Sequence, residues 1–290
     1  MNDGGELIAF NYAEVVAMHL DPIEKKPLYH YHPGTNIFSL APNSCNLSCS
    51  YCQNFEISQK KEKTVSVSPE SLLDICLKNK YAYVAFTYTE PFTWYEYIYD
   101  CAVLFKSYDI KIVLVTNGYI NLTPLTEIIE YIDAMNIDLK SISDQFYQIT
   151  CKGKLEPVLN AINLAARHCH LEITNLIIPG LNDSEKEFAD LADFISGVSK
   201  EIPLHFSRYF PMWKCVSERT PEVTLETAYS IAKEKLDYVY IGNTQSRKFM
   251  DTYCPECGSL VIQRSLEYQL VLYLNQGRCR KCGHKIYGIY

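Results

Sequence analysis

The chain has 290 residues, 27 Lys and Arg against 34 Asp and Glu for a formal net charge of -7, 48% hydrophobic residues and 12 cysteines. That length buries one large core, or one core with a small accessory module. With 21% charged residues, 23 Tyr, 12 Phe and only 12 Gly, disordered, collagen-like and low-complexity chains are excluded.

Near the start, Met1–Glu6 carry acid and glycine in place of a basic and then apolar leader, so the expected location is the cytoplasm. The strongest apolar stretch, Ile110 to Val115, is strand-sized and far below the roughly 18 to 20 residues of a membrane span, so no membrane partner is expected. In a reducing compartment cysteines are metal ligands, catalytic groups or small buried hydrophobes, and their spacing decides which.

Short β-branched and aromatic runs then alternate with helix-length amphipathic stretches. Strands are predicted over Asn36–Leu40, Tyr81–Tyr88, Lys111–Val115, Ala134–Leu139, Leu171–Ile177, Leu204–Ser207 and Tyr238–Ile241. Between them, Ser68-Pro69-Glu70 offers an N-cap, a first-position proline and a first-turn acid; Asn182-Asp183 and Thr224 open two further helices. Six or seven βα units predict an α/β fold, a partial or near-complete TIM-like (β/α) barrel. Near Asp251 the pattern changes to paired cysteine knuckles around a hairpin-like stretch, Leu260–Leu274. The expected division is an N-terminal extension over 1–33, a barrel over 34–250, and a small zinc-ribbon-like β module over 251–290 that packs on the barrel.

Seven cysteines fall into two clusters. The first, Cys45, Cys49 and Cys52, lies just after the first predicted strand. Three thiolates within eight residues can wrap one iron-sulfur cluster, but such a cluster takes four ligands. One iron would then stay open towards the barrel mouth, where functional residues gather. A structural zinc site and three unliganded thiols are the competing readings. The second cluster, Cys254-x2-Cys257 and Cys279-x2-Cys282, has 21 residues between its knuckles and a glycine after each pair. Four such thiolates predict a closed metal site, zinc before a rubredoxin-like iron. The other five, Cys76, Cys101, Cys151, Cys169 and Cys215, are expected to be core residues.

Alternation in Ala134-Met-Asn-Ile-Asp-Leu-Lys140 sends Asn136, Asp138 and Lys140 to one face, the barrel interior, because the other face packs on helices. An unsolvated Asp and Lys need partners or a ligand, and a ligand role is favoured over a polar structural layer. Asn117, in Thr116-Asn-Gly118, is a weaker ligand candidate beside a turn glycine. His205 and Ser207 share a face of the sixth strand; His205 is open to a core or a functional reading. Arg208, at that strand's end, suits an anionic substrate or cofactor carboxylate.

The Cys-x3-Cys-x2-Cys spacing with Tyr51 before the last cysteine resembles the radical S-adenosylmethionine (SAM) superfamily. The resemblance implies a [4Fe-4S] cluster on Cys45, Cys49 and Cys52 whose unique iron chelates SAM. Reduction cleaves SAM to methionine and a 5'-deoxyadenosyl radical that abstracts hydrogen. It further implies that Lys140 pairs with the SAM carboxylate and Asp138 with the ribose. Thr89 and Glu90 stand where the family has a Gly-Gly-Glu element for the SAM amino group; this chain lacks the glycines, and helix capping by Thr93 with an exposed Glu90 competes.

Several stretches are similar to one branch, the radical SAM component of the AmmeMemoRadiSam system, related to pyruvate formate-lyase activating enzyme: Tyr29-His-Tyr-His-Pro33-Gly34, Cys52-Gln-Asn54, Ala85–Pro91, Val115–Tyr119, Asp133–Lys140, Pro179–Asn182 and His205–Arg208. Phe210 departs from it, where relatives often show histidine. The resemblance implies Memo-like and AMMECR-type partner proteins and a low-potential electron donor such as flavodoxin or ferredoxin. The substrate readings are glycyl-radical-enzyme activation, another protein or small molecule, or RNA or a nucleotide; a non-catalytic metal scaffold is the alternative. In the tail, five basic residues against three acids are too few to claim nucleic acid.

Overall fold

The structure, a computed structural model, describes residues 2–7 and 9–290; of the leader stretch read above, Met1 lies outside the described residues. Seven parallel strands stand side by side in chain order: β1 (Asn36–Pro42), β2 (Tyr83–Phe86), β3 (Lys111–Thr116), β4 (Ala134–Asp138), β5 (His170–Ile177), β6 (Leu204–Arg208) and β7 (Val239–Gly242). An antiparallel strand, Glu14–Pro22, pairs with β1 and carries the short Val65–Ser66 on its other side. Strand β7 and Val65–Ser66 are the two edges of this sheet, so the barrel is partial and open on one side. Every predicted parallel strand is present, several with ends shifted by one or two residues.

The strand pattern explains the layering. On β2, β3 and β4, Val84, Phe86, Ile112, Leu114, Met135 and Ile137 face the main core with the helices. Their alternates Ala85, Val113 and Ala134 face the barrel lumen, where they pack on Ile23, Leu28, Tyr31 and Ile37. The small lumen side chains leave room for the segment before β1, which plugs the barrel floor.

Helix Pro69–Asn79 starts as read: Ser68 Oγ accepts from Ser71 N at 3.2 Å, with Pro69 at the first position. Helix Glu185–Val198 starts later than expected, because Ser184 is its cap. Asn182 instead accepts from Ile178 N at 2.7 Å and donates to Lys140 O at 2.8 Å, bracing the β4 and β5 loops.

Thr252–Tyr253, Leu260–Arg264 and Leu270–Leu272 form a three-stranded antiparallel sheet beside a two-stranded one, Leu274–Asn275 with Arg278–Cys279. Its core is continuous with the barrel: Val261, Ile262 and Ile286 pack with Tyr29, Tyr238 and Tyr240. Arg264, 1% exposed, fastens this contact. Its guanidinium donates to Tyr29 O, Met250 O and Thr252 Oγ1 and lies 4.3 Å from the Tyr29 ring centroid. Among the described residues, no helix is long and apolar enough to cross a membrane.

Candidate functional site

Beyond the carboxyl end of β1, the loop with Cys45, Cys49 and Cys52 folds over the barrel mouth. The turn Tyr147–Cys151 anchors it: Ser48 N and Ser50 N donate to Cys151 O and Thr150 O at 2.8 and 3.1 Å. Cys45 and Cys52 are partly exposed and Cys49 is buried. Below them lies a cavity of about 290 Å³, lined by all three cysteines, Glu90, Asp138 and Lys140.

Its walls hold most of the predicted residues. Lys140 Nζ pairs with Asp138 Oδ2 at 3.0 Å. Burial alone would lower the Lys140 pKa, but Asp138 and the nearby Cys49 and Cys151 raise it well above the ordinary value, so the ammonium is retained. Asn117 Nδ2 donates to Asn46 Oδ1 at 2.8 Å and to Cys45 Sγ at 3.5 Å. Tyr51 is buried, with its hydroxyl 3.6 Å from Cys151 Sγ. Thr89 lines the cavity while its hydroxyl donates to Pro42 O at 2.8 Å.

Glu90 is not the exposed residue that the capping alternative requires; it is 1% exposed. Its carboxylate accepts from Thr116 Oγ1 at 2.6 Å, Asn117 N at 2.8 Å and Phe92 N at 3.0 Å. The last bond makes Glu90 itself the cap, and Thr93 Oγ1 donates to its carbonyl. Burial raises the Glu90 pKa to about 7 against those three donors. The carboxylate ties the end of β2 to the end of β3.

His205 and Arg208 are not brought to this cavity. Both line a second cavity of about 1080 Å³ on the open side of the barrel. Arg208 is engaged there by Thr220 O at 2.8 Å and Glu222 Oε1 at 3.3 Å, because the chain after β6 folds back over its strand end. His205 Nε2 sits 2.6 Å from Glu172 Oε2. The cavities meet: Lys25, Lys26, Gln53 and Tyr88 line both.

Cys76 and Cys101 are core residues in helices Pro69–Asn79 and Tyr95–Lys106. Cys151, read as another, also lies against the loop, where its hydrogen bond to Cys49, supported by Lys140, lowers the Cys49 thiol to about 7 despite burial. No spacing signal in the sequence links Cys151 to a loop a hundred residues away.

In the tail, Cys254 Sγ lies 3.6 Å from Cys282 Sγ and Cys257 Sγ 3.7 Å from Cys279 Sγ. A tetrahedron of metal–sulfur bonds of about 2.3 Å has edges of about 3.8 Å, so the four thiols fit one ion. Gly258 and Gly283 take positive φ, and each donates its N–H to the first cysteine of its knuckle. Among the described residues only these four cysteines bring three or more such ligand atoms within 4.8 Å of one another. The three loop thiols are spread more widely, which suits a multi-iron cluster and not a single ion.

The radical SAM superfamily model matches residues 41–195, more than half of the chain, and the chain belongs to that superfamily. It is 40% identical to the uncharacterized protein MJ0808 of Methanocaldococcus jannaschii, across 98% of this chain and 87% of the relative. The fold resembles TYW1 with a lysine-pyruvate adduct bound, at TM-score 0.55 and 16% identity over 79% of this chain and 87% of that one. It also resembles a radical SAM methyltransferase from Sphaerobacter thermophilus, at TM-score 0.56 and 12% identity over 79% and 71%. Membership implies a [4Fe-4S] cluster and SAM as cofactors, and the four tail cysteines form a metal-binding group.

Proposed function

We propose that the chain is the radical SAM enzyme of an AmmeMemoRadiSam system, with Cys45, Cys49 and Cys52 as cluster ligands and zinc on the four tail cysteines. The observation that carries the enzymatic reading is the cysteine loop above a cavity walled by the Asp138–Lys140 pair. When bound, the cluster and SAM supply the cleavage to methionine and a 5'-deoxyadenosyl radical.

The chain's own residues bind and orient. Lys140 holds a carboxylate through its ammonium, and Asp138, with its side chain 40% exposed, accepts from ribose hydroxyls. Glu90 and its three donors fix the β2 and β3 ends, while Thr89 and Asn117 offer polar atoms at the rim. Tyr51 packs the loop down on Cys151 and keeps water from that side. Arg208 and His205 act, in this reading, on the substrate side.

Flavodoxin or ferredoxin supplies the electron, and Memo-like and AMMECR-type proteins are the partners. The substrate is a protein, as in glycyl-radical-enzyme activation, or a small molecule entering by the open side. Support for this branch is the set of matching stretches along the chain, among them Tyr29–Gly34 on the barrel floor and Pro179–Asn182 at the mouth.

The test is anaerobic reconstitution followed by SAM and dithionite. About four iron and one zinc per chain with release of 5'-deoxyadenosine are expected. Zinc at both sites without nucleoside would replace the enzyme with a metal scaffold.

A further inference from the structure

The functional reading above leaves one buried acid–base pair without a defined task. Glu172, fully buried, accepts four hydrogen bonds: from Tyr29 N at 3.0 Å, His30 N at 2.7 Å, His170 Nε2 at 3.0 Å and His205 Nε2 at 2.6 Å. Burial alone would raise its pKa, but the bonds to His170 and His205 outweigh burial and hold it well below the ordinary range. An ionised carboxylate only accepts, so His205 presents its Nε2–H to Glu172. In neutral imidazole this leaves Nδ1 as a bare acceptor. Among the described residues no group donates to Nδ1, although the residue is only 4% exposed and lines the larger cavity.

Of the other polar groups of that wall, Glu24 Oε2 is buried without a partner among the described residues, while two others are engaged. Thr174 Oγ1 donates to Asn136 Oδ1 at 2.9 Å, and Lys26 pairs with Asp21 at 2.8 Å. The His205 ring is held edge-on by Tyr29 and stacked by Tyr240, at 4.7 and 5.1 Å between centroids, so it cannot turn to find another partner. Arg264 lies behind Tyr29 and His170 across Glu172, so the groups facing His205 are one carboxylate, a second imidazole and two phenols.

We infer that the larger cavity is the substrate chamber and that His205 Nδ1 accepts a hydrogen bond, and then the proton, from an O–H or N–H of the substrate. The X–H bond breaks, an N–H bond forms at Nδ1, the electron pair stays on X, and the imidazolium charge is held opposite Glu172. The substrate class is an alcohol, amine or amide whose donor lies within reach of the carbon losing hydrogen. The inference rests on the radical SAM reading, since the chamber joins the cysteine-loop cavity through Lys25, Lys26, Gln53 and Tyr88.

Two variants separate a contact to substrate from a scaffold role. His205→Gln keeps a nitrogen where Nε2 stood, preserving the bond to Glu172, and has nothing at Nδ1; His205→Asn does the reverse. In the holoenzyme labelled with 15N-histidine, a resonance pair absent from His205→Gln should show a protonated Nε2 and a bare Nδ1 near pH 7.5. A proton on Nδ1 overturns the inference. In the second measurement, holoenzyme, SAM and dithionite are mixed with an extract of the native host grown in deuterated medium. The deuterated fraction of the 5'-deoxyadenosine formed should fall at least about tenfold in His205→Gln, the worth of one good hydrogen bond, and by less in His205→Asn. An unchanged fraction in His205→Gln overturns the inference. Absence of nucleoside from the wild type overturns the radical SAM reading instead.

Discussion

In the tail, four thiols on two facing turns close around a volume fit for one ion, with sulfurs 3.6 and 3.7 Å apart across the knuckles. In the loop, three thiols on a single stretch are spread over the mouth of a cavity and lean on separate neighbours: Asn117 beyond the end of β3 on Cys45, Cys151 of the turn Tyr147–Cys151 on Cys49, and Ser58, in the helix that follows the loop, at 3.2 Å from Cys52 Sγ. The difference teaches what each site is for. A site that supplies all its ligands has no position for substrate and contributes to folding, whereas a site one ligand short, set over a cavity, leaves a position open for chemistry.

The largest expected effect breaks the two sites apart. Cys45→Ala should lose the loop iron and drop 5'-deoxyadenosine formation to background while retaining the tail metal, as metal analysis and chromatography would show. Cys279→Ser should do the opposite, losing the tail metal and keeping the loop iron. Because the tail carries Arg264, Tyr287 and Tyr290 onto the barrel floor, its loss should destabilise the chain on the order of several kcal/mol, a Tm decrease of roughly 10 °C. If Cys279→Ser left Tm unchanged, the tail would not be the structural partner in this comparison.

Between the two sites stands Glu172, which binds the floor segment at Tyr29 and His30 and both histidines. Glu172→Gln puts an amide against four donors and should cost about 3–5 kcal/mol in denaturant unfolding. The sign with pH follows from its lowered folded value: the stabilisation is present above the unfolded glutamate pKa, about 4.3, and is lost as pH falls through the folded value. The variant's stability should therefore depend less on pH below about 4 than the wild type's.

The parallel strands and both cysteine clusters were legible because each rests on local pattern: alternation of apolar residues, and spacings a few residues long. Asn136, Asp138 and Lys140 were readable as a lumen-facing set for the same reason. The antiparallel strand Glu14–Pro22 was not read, since Glu14, His19 and Asp21 break its apolar run and its pairing with β1 is decided by tertiary contact. Glu90 was misjudged as exposed in one alternative because its three donors come from β3 and from the turn it caps. Cys151 and Glu172 were missed as site residues for a related reason: Tyr51 lies 100 residues from Cys151, and the backbone donors His30 and Tyr29 lie 142 and 143 residues from Glu172. A single sequence carries no signal for such pairings.

The smallest expected effect sharpens how far the loop site depends on strand ends. Gly118 follows Asn117 with φ +66, and a Cβ there would stand 2.9 Å from Ile137 Cγ2 on β4. Gly118→Ala must either shift Ile137 or pull back its own backbone, at a cost of about 1–2 kcal/mol. Pulling back moves Asn117, whose N–H holds Glu90 and whose amide reaches Cys45. The expected result is a Tm lowered by a few degrees, weaker SAM retention by equilibrium dialysis, and an unchanged tail metal content. Should the tail metal fall in step with SAM retention, the two sites would share one cooperative unit, and their contrast would describe ligand geometry alone.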